Sequence, residues 1–356
     1  MSQDPPREAV VVGAGLIGTS IGLALTKAAW RVHLRDRVLS HARVAESLGA
    51  GSVEPAVTRA VQLVVVAVPP SVLGEAIGHA LHSYPHATVT DVGSVKAGVL
   101  DALWDAQEGL ERYVGSHPMA GSQHSGPLAA RADLFADRTW VITPHRRSAP
   151  TSVEVVRDLV RACDAREVVM DVEEHDAAVA GVSHLPQLMS TLTAASLTEL
   201  PESHLALAGP GLRDVTRIAG SDPQLWVQIL SANQAAVLDR LRAVQNELGA
   251  LIAAMESGPE ALRTRMERGV QGTRRIPGKH GAAPATYGQV VVEIPDTPGA
   301  LAKLFADVGA AGVNVEDIAI EHDQVRQVGY LALSVTPEQV DALERTMRDG
   351  GWDVQP

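Results

Sequence analysis

The stretch Ala9-Val-Val-Val-Gly13-Ala-Gly15-Leu-Ile-Gly18, continued by Thr19-Ser-Ile-Gly-Leu-Ala-Leu25, decides the fold. Four apolar residues without alternation suit a strand covered on both faces, and the Ala-, Leu- and Ile-rich run behind the glycines is helical in character. The three glycines between them serve different ends. Gly13 makes a tight turn, Gly15 lets the backbone approach a pyrophosphate, and Gly18 lets the helix pack close to the strand. Leu16 and Ile17 open that helix, whose free N–H groups and partial positive charge suit phosphate. Arg31–Leu34 reads as the second strand, and Asp36 follows it, placed to accept hydrogen bonds from the ribose hydroxyls of a dinucleotide. Its charge repels a 2′-phosphate, which favours NAD over NADP. The flanking Arg35 and Arg37 keep NADP open, because either guanidinium could pair with that phosphate.

The same rhythm continues at Leu63–Val68, Thr88–Asp91 and Tyr113–Gly115, so residues 1–172 read as an α/β, Rossmann-like domain with a parallel sheet. Val68 and Pro69 close the apolar run of the third strand, at the end of the sheet that faces a cofactor. After the strand-like Val168–Asp171, residues 173–268 read as an all-helical domain whose helices break at Pro201 and at Gly209-Pro-Gly211. A polar, basic, Gly- and Pro-rich stretch, 269–287, reads as a linker. In 288–356, strands at Gln289–Ile294, Val313–Glu321, Arg326–Val335 and Trp352–Val354 frame helical patterns at Pro298–Ala311 and Pro337–Arg348, a ferredoxin-like α+β order.

Composition narrows the function. At 356 residues the chain exceeds the roughly 250 to 300 at which a single core stops growing, so several domains are expected. A formal charge of −12 argues against nucleic acid and anionic membranes as partners. The lone Cys163 cannot form an intramolecular disulfide and leaves too few thiolates for a zinc or iron–sulfur site, so a reducing cytoplasm is the expected setting and no metal is expected. Met1–Glu8 lacks a basic start, and no run of about 18 apolar residues occurs, so neither export nor membrane insertion is expected.

Two further constellations carry chemistry. The first joins Asp91-Val-Gly-Ser94-Val-Lys96, Gly115-Ser-His117-Pro-Met-Ala-Gly121-Ser-Gln123 and Asp133-Leu-Phe135, at the carboxyl ends of later strands where open α/β sheets bind ligands. His117 is one of 13 histidines, so composition alone assigns it nothing; its place after a strand and before Pro118 points it toward the cofactor crevice. A neutral imidazole there could take a proton from a substrate hydroxyl as hydride leaves for NAD, with Ser94 orienting the hydroxyl or the ring. The second joins His175-Asp176, Ser183-His184-Leu-Pro-Gln187, Gly211-Leu-Arg213-Asp214-Val-Thr216-Arg217 and Ser221-Asp-Pro-Gln-Leu-Trp226. Ser183 and Gln187, and likewise Arg213 and Arg217, are four apart and would share helix faces. Arginine forks match carboxylates, and a small dianion needs such anchors.

These segments, over about Ala9 to Leu251, resemble the prephenate/arogenate dehydrogenases. The resemblance implies that His117 accepts the ring hydroxyl proton, that Ser94 hydrogen-bonds with it, that Arg217 binds the ring carboxylate, and that the helical domain dimerises. It further implies a substrate pocket lined by Arg213, Gln123, Ser183, His184, Gln187, Asp214 and Trp226, and NAD-dependent oxidative decarboxylation of prephenate to 4-hydroxyphenylpyruvate. Some members carry Glu at the position of Gln123 and others His at that of Gln187, so arogenate, or a C4-amino analogue of prephenate, is the alternative substrate. A catalytically inactive amino-acid-sensing regulator is the reading from another class, and joint retention of Ser94, His117 and Arg217 argues against it. No segment like a chorismate mutase precedes the dehydrogenase, so chorismate is not the expected starting point. Asp296-Thr-Pro298-Gly299 and Gly312-Val-Asn314 resemble an ACT domain, implying tyrosine as effector near Asp296, Pro298, Gly299 and Asn314.

Overall fold

The computed structural model describes residues 6–105, 108–121, 126–276, 287–295, 297–323 and 328–355. They fall into two compact units, Met1–Gly249 and Ala250–Pro356.

In the first unit, strands β1 (Glu8–Val12), β2 (Arg31–Arg35), β3 (Val61–Val66), β4 (Thr88–Asp91), β5 (Tyr113–Pro118), β6 (Thr139–Thr143) and β7 (Arg166–Val169) form one sheet, ordered β2-β1-β3-β4-β5-β6-β7. Helices α1 (Leu16–Lys27), α2 (Leu39–Ser47), α3 (Pro70–Ser83), α4 (Ala97–Trp104) and α5 (Pro150–Ala162) alternate with the strands. The unbroken apolar runs are buried on both faces: Ala9, Val11, Leu63 and Val65 join one core, and Val10, Val64 and Val66 the other. Each valine or leucine side chain removed from water contributes about 1.5 to 3 kcal/mol before chain entropy is counted.

The sheet departs from the all-parallel reading at one seam. β6 runs antiparallel to β5, with Gly115 opposite Thr143 and His117 opposite Val141. The connection between them carries, among its described residues, a 3-10 turn at Pro127–Ala129 and no α-helix, whereas a parallel neighbour needs a crossover element over one face.

Asp171 then caps α6 (Val172–Val179) by accepting the Glu174 N–H at 2.7 Å, and Glu173 and Glu174 complement the helix dipole. The helix passes through a five-residue π turn, Ala180–His184, into α7 (Leu185–Ser196). Pro186 has no N–H to offer the preceding turn, and the wide turn absorbs that loss. Pro201 and Gly209-Pro210 mark the starts of α8 (Glu202–Leu205) and α9 (Pro210–Thr216). Asp222 caps α10 (Pro223–Ala232), and α11 (Gln234–Ser257) follows.

In the second unit α12 spans Pro259–Thr273, past residue 268 and into the stretch read as a linker. Gly269 and Gly272 are therefore helical; single glycines weaken a helix without ending it. Strands β8 (Gly288–Pro295), β9 (Asp317–Asp323), β10 (Val328–Val335) and β11 (Asp353–Val354) make an antiparallel sheet ordered β11-β8-β10-β9, with α13 (Ala300–Ala310) and α14 (Val340–Asp349). β9 starts later than the Val313–Glu321 reading, and Val313 and Val315 pack on the core from an extended lead-in. Among the described residues, no helix is long and apolar enough to cross a membrane.

Candidate active site

The glycine loop is shaped by close approaches. Gly13 has φ +104°, and a Cβ there would sit 2.2 Å from the Ala67 carbonyl oxygen; one on Gly18 would sit 1.8 Å from that of Gly13. Gly15 differs, since a Cβ would meet nothing within 4 Å, leaving open space before the N-terminus of α1. This is a cradle that fits a pyrophosphate. Leu16 is buried and Ile17 half-buried behind it, Val68 lies against Gly13, and Pro69 precedes the first turn of α3.

Asp36 was expected to serve the ribose; its carboxylate is already tied to backbone. Oδ2 accepts from Ala14 N at 2.6 Å and Oδ1 from Val38 N at 2.7 Å, so it pins the glycine loop to the end of β2. Each oxygen keeps lone-pair capacity for a ribose hydroxyl. Arg35 donates to the carbonyls of Leu34, Val53 and Glu54, which commits its fork to backbone, while Arg37 is exposed. Among the described residues no group of three His, Cys, Asp or Glu is arranged to hold a metal.

His117 ends β5 with only 9% of its surface exposed. Its Nδ1 lies 3.0 Å from Nε2 of His175, whose own Nδ1 lies 2.7 Å from Oδ1 of Asp176. Asp176 in turn accepts from Lys96 N at 2.9 Å and Ala97 N at 2.8 Å, tying α6 to the start of α4. Burial pushes its carboxyl up, but the hydrogen bonds from His175 and those two amides outweigh burial and leave it below the ordinary carboxylate value. Burial, then the facing His175, Lys96 and His184, hold His117 well below its ordinary 6.5. The ring is neutral at physiological pH, as a proton acceptor must be.

Beneath it lies a buried ion pair. Lys96, 1% exposed, donates from Nζ to Asp91 Oδ2 and, at 2.9 Å, to the Ser116 carbonyl. Asp91 also accepts from Gly93 N and the Tyr113 hydroxyl, both at 2.8 Å. Gly115 must be glycine here, since a Cβ would lie 2.6 Å from Thr143 Oγ1 and 3.1 Å from Lys96 Cδ. Ser94 sits half-buried between Gly93 and Lys96, and among the described residues its hydroxyl makes no hydrogen bond to His117. The expected Ser94–His117 bond is not formed; the hydrogen bond that His117 makes is the one to His175.

The π turn carries Ser183, half-buried, and His184, buried. Asn233 Nδ2 donates to the Asp176 carbonyl at 2.8 Å and lies 3.2 Å from His184 Nδ1, while His184 Nε2 has no partner among the described residues. Trp226 meets the His184 ring edge-on with centroids 6.1 Å apart. Gln187 faces inward but donates to the Ile218 carbonyl at 3.0 Å, and Ser190 Oγ accepts from Ala219 N at 3.1 Å. These two residues of α7 hold the 3-10 turn Arg217–Gly220, which starts where α9 stops, so Arg213 and Arg217 do not share one continuous α-helix. Arg213, Asp214 and Arg217 are exposed. Gln123 lies outside the described residues.

His175, Asn233 and Ser190 join the site through contacts that no sequence motif announces. The adjacent His175-Asp176 pair was the only local signal, since its partner His117 is 58 residues away.

In the second unit two clefts, of ≈ 560 and ≈ 360 Å³, meet at the turn before α13, and both are lined by Thr297, Pro298 and Gly299. Gly299 has φ +91° and caps that helix. Asn314 donates to Glu316 Oε1 at 2.5 Å. Asp296 lies outside the described residues.

Residues 21–169 match the model for the prephenate dehydrogenase nucleotide-binding domain, and 171–268 that for the prephenate dehydrogenase dimerization domain. The chain is 35% identical to the probable prephenate dehydrogenase NovF of Streptomyces niveus over 97% of its own length and 99% of that protein. It is 30% identical to prephenate dehydrogenase of Bacillus subtilis, over 91% of each. Among solved structures, prephenate dehydrogenase from A. aeolicus in complex with hydroxyphenyl propionate and NAD+ shares the fold with a TM-score of 0.68 at 24% identity, over 76% of this chain and 99% of that one. With the glycine cradle, the buried histidine and a helical segment packed against the sheet, these matches lead to one conclusion: the chain belongs to the prephenate dehydrogenase family.

Proposed function

We propose that this protein is an NAD-dependent prephenate dehydrogenase, converting prephenate to 4-hydroxyphenylpyruvate and CO2. The observation that carries the reading is His117, a buried, neutral imidazole at the carboxyl end of β5 whose Nε2 has no partner among the described residues. When bound on the cradle of Gly13, Gly15, Gly18 and Asp36, NAD supplies the acceptor for the hydride leaving C4 of the cyclohexadiene. His117 takes the C4 hydroxyl proton. The bond to the ring carboxylate breaks, its electron pair moves through the ring onto the C4 oxygen, and that oxygen takes the proton back from His117; aromatisation drives the step, so the residues mainly orient and shield the substrate.

Ser94, free of His117, orients the C4 hydroxyl. Arg217, held on its turn by Gln187 and Ser190, receives the ring carboxylate, and Arg213 adds positive potential for the side-chain carboxylate. The unpartnered Nε2 of His184 faces the substrate as a donor, with Trp226 and Ser183 as pocket wall and Asp214 tempering the arginines. The family's dimerization segment and exposed Leu192 and Leu207 support a homodimer through 173–268. Residues 288–356 act as an ACT-type regulatory domain, supported by the antiparallel β-α-β-β-α-β order and the clefts at Thr297–Gly299. Tyrosine is the proposed effector there.

The test is NADH formation by purified protein given NAD with prephenate or with arogenate. The expected result is turnover of prephenate with a kcat/KM above that for arogenate; selective turnover of arogenate, or of neither, overturns the reading. Calorimetry of the intact protein with tyrosine checks the effector, and absence of binding heat rules it out.

A further inference from the structure

Resting on that reading, we infer that His175 and Asp176 form a proton relay behind His117: they hold its resting proton on Nδ1, leave Nε2 as the base, and receive that proton as the substrate's arrives. With His175 neutral, the chain of hydrogen bonds has one polarity. Asp176 is a carboxylate with no proton to give, already accepting from Lys96 N and Ala97 N. The 2.7 Å contact from His175 therefore has Nδ1–H as donor. A neutral His175 then presents a lone pair at Nε2, and only an N–H on His117 Nδ1 satisfies the 3.0 Å contact between the rings. With its proton on Nδ1, His117 offers its lone pair at Nε2. His175 is fully buried, so no water substitutes for either partner.

The direction of transfer follows from the charges facing each ring. His117, on β5, is faced by the Lys96 ammonium from the β4–α4 loop, which disfavours a second positive charge there, and by the rings of His175 from α6 and His184 from the π turn. His175 is faced by the Asp176 carboxylate. The substrate hydroxyl gives its proton to His117 Nε2, breaking O–H and forming N–H. His117 gives its Nδ1 proton to His175 Nε2. The positive charge rests on His175 against Asp176, with His117 neutral in the opposite tautomer, until CO2 leaves and the ring aromatises; the two transfers then run in reverse and return the proton to the phenolate oxygen, so the product carries its hydroxyl. The rings are nearly perpendicular, at 72°, which places the His117 N–H toward the edge nitrogen of His175 without stacking. His175 is thus a positioning residue that acts through His117.

The experiment pairs a tautomer measurement with one variant, on the full chain. Nitrogen-15 NMR of histidine-labelled protein, with His117 assigned by its loss in His117→Asn, is expected to show a protonated Nδ1 and an unprotonated Nε2 near neutral pH, without substrate. An Nε2–H tautomer for His117 overturns the relay whatever the activity. In His175→Gln the amide can hold His117 but cannot take a proton. We expect kcat to fall about 10- to 10³-fold with the KM for NAD and for prephenate changed less than about threefold. Equal kcat in His175→Gln and the parent also overturns the relay. Failure of the proposed function is seen separately, as absence of NADH formation by the unmodified protein.

Discussion

Replacing Lys96 by Met removes one charge from a pair that water does not reach. Lys96 is 1% exposed and Asp91 fully buried. Losing the ammonium leaves the Asp91 carboxylate with two donors, Gly93 N and the Tyr113 hydroxyl, but without a counter-charge. Breaking a buried pair by removing one member costs about 3 to 5 kcal/mol, a large part of the ~5 to 15 kcal/mol by which domains are stable. The two remaining hydrogen bonds place this site toward the lower end. Asp91→Asn in the same chain removes the orphaned charge, so the double variant should recover at least about 2 kcal/mol relative to Lys96→Met alone. Urea unfolding followed by tryptophan emission measures both, with fully buried Trp140 as a reporter of this unit. Lys96 is also one of the charges that keep His117 from protonating, so in Lys96→Met the acid limb of kcat/KM should move to higher pH. A Lys96→Met protein within about 1 kcal/mol of the parent, or a double variant no more stable than the single, would refute the argument.

Three further outcomes are expected. His117→Asn should lower kcat by at least about 10²-fold with NAD affinity, read by protein fluorescence titration, nearly unchanged. Arg217→Ala should act chiefly on the KM for prephenate, by about 2 to 5 kcal/mol in kcat/KM, and steady-state kinetics with unaltered KM would place the ring carboxylate elsewhere. His117 binds its proton less readily folded than unfolded, so its contribution to stability is intact above about pH 6.5 and declines below it, by at most about 1.4 kcal/mol per pH unit. Urea midpoints across that window should slope less steeply in His117→Asn.

Local chemistry was legible in the sequence, and long-range partnership was not. The glycine loop is readable because its constraints lie within a few residues: Gly13 and Gly18 meet each other and Ala67. The helix starts at Asp171 and Asp222 follow from adjacent caps. The reversal of β6 was hidden because strand direction depends on the connection and not on Thr139–Thr143 itself. The place of Asp36 after the second strand is legible, but its further tie to Ala14 N depends on how two loops meet. His175 joins His117 across 58 residues, and Asn233 joins His184 across 49, so no spacing rule could pair them. Arg217 was picked by charge, but what holds it, Gln187 and Ser190, appears only when α7 packs on the turn after α9.

On this mechanism one site removes hydride and carboxylate from the same ring. The most direct measurement is the ratio of NADH formed to CO2 released when the purified protein consumes prephenate and NAD. Saturable turnover is expected, with the two products in equal amounts and 4-hydroxyphenylpyruvate accumulating alongside. Release of CO2 without NADH, or no reaction of prephenate with NAD at all, would contradict it.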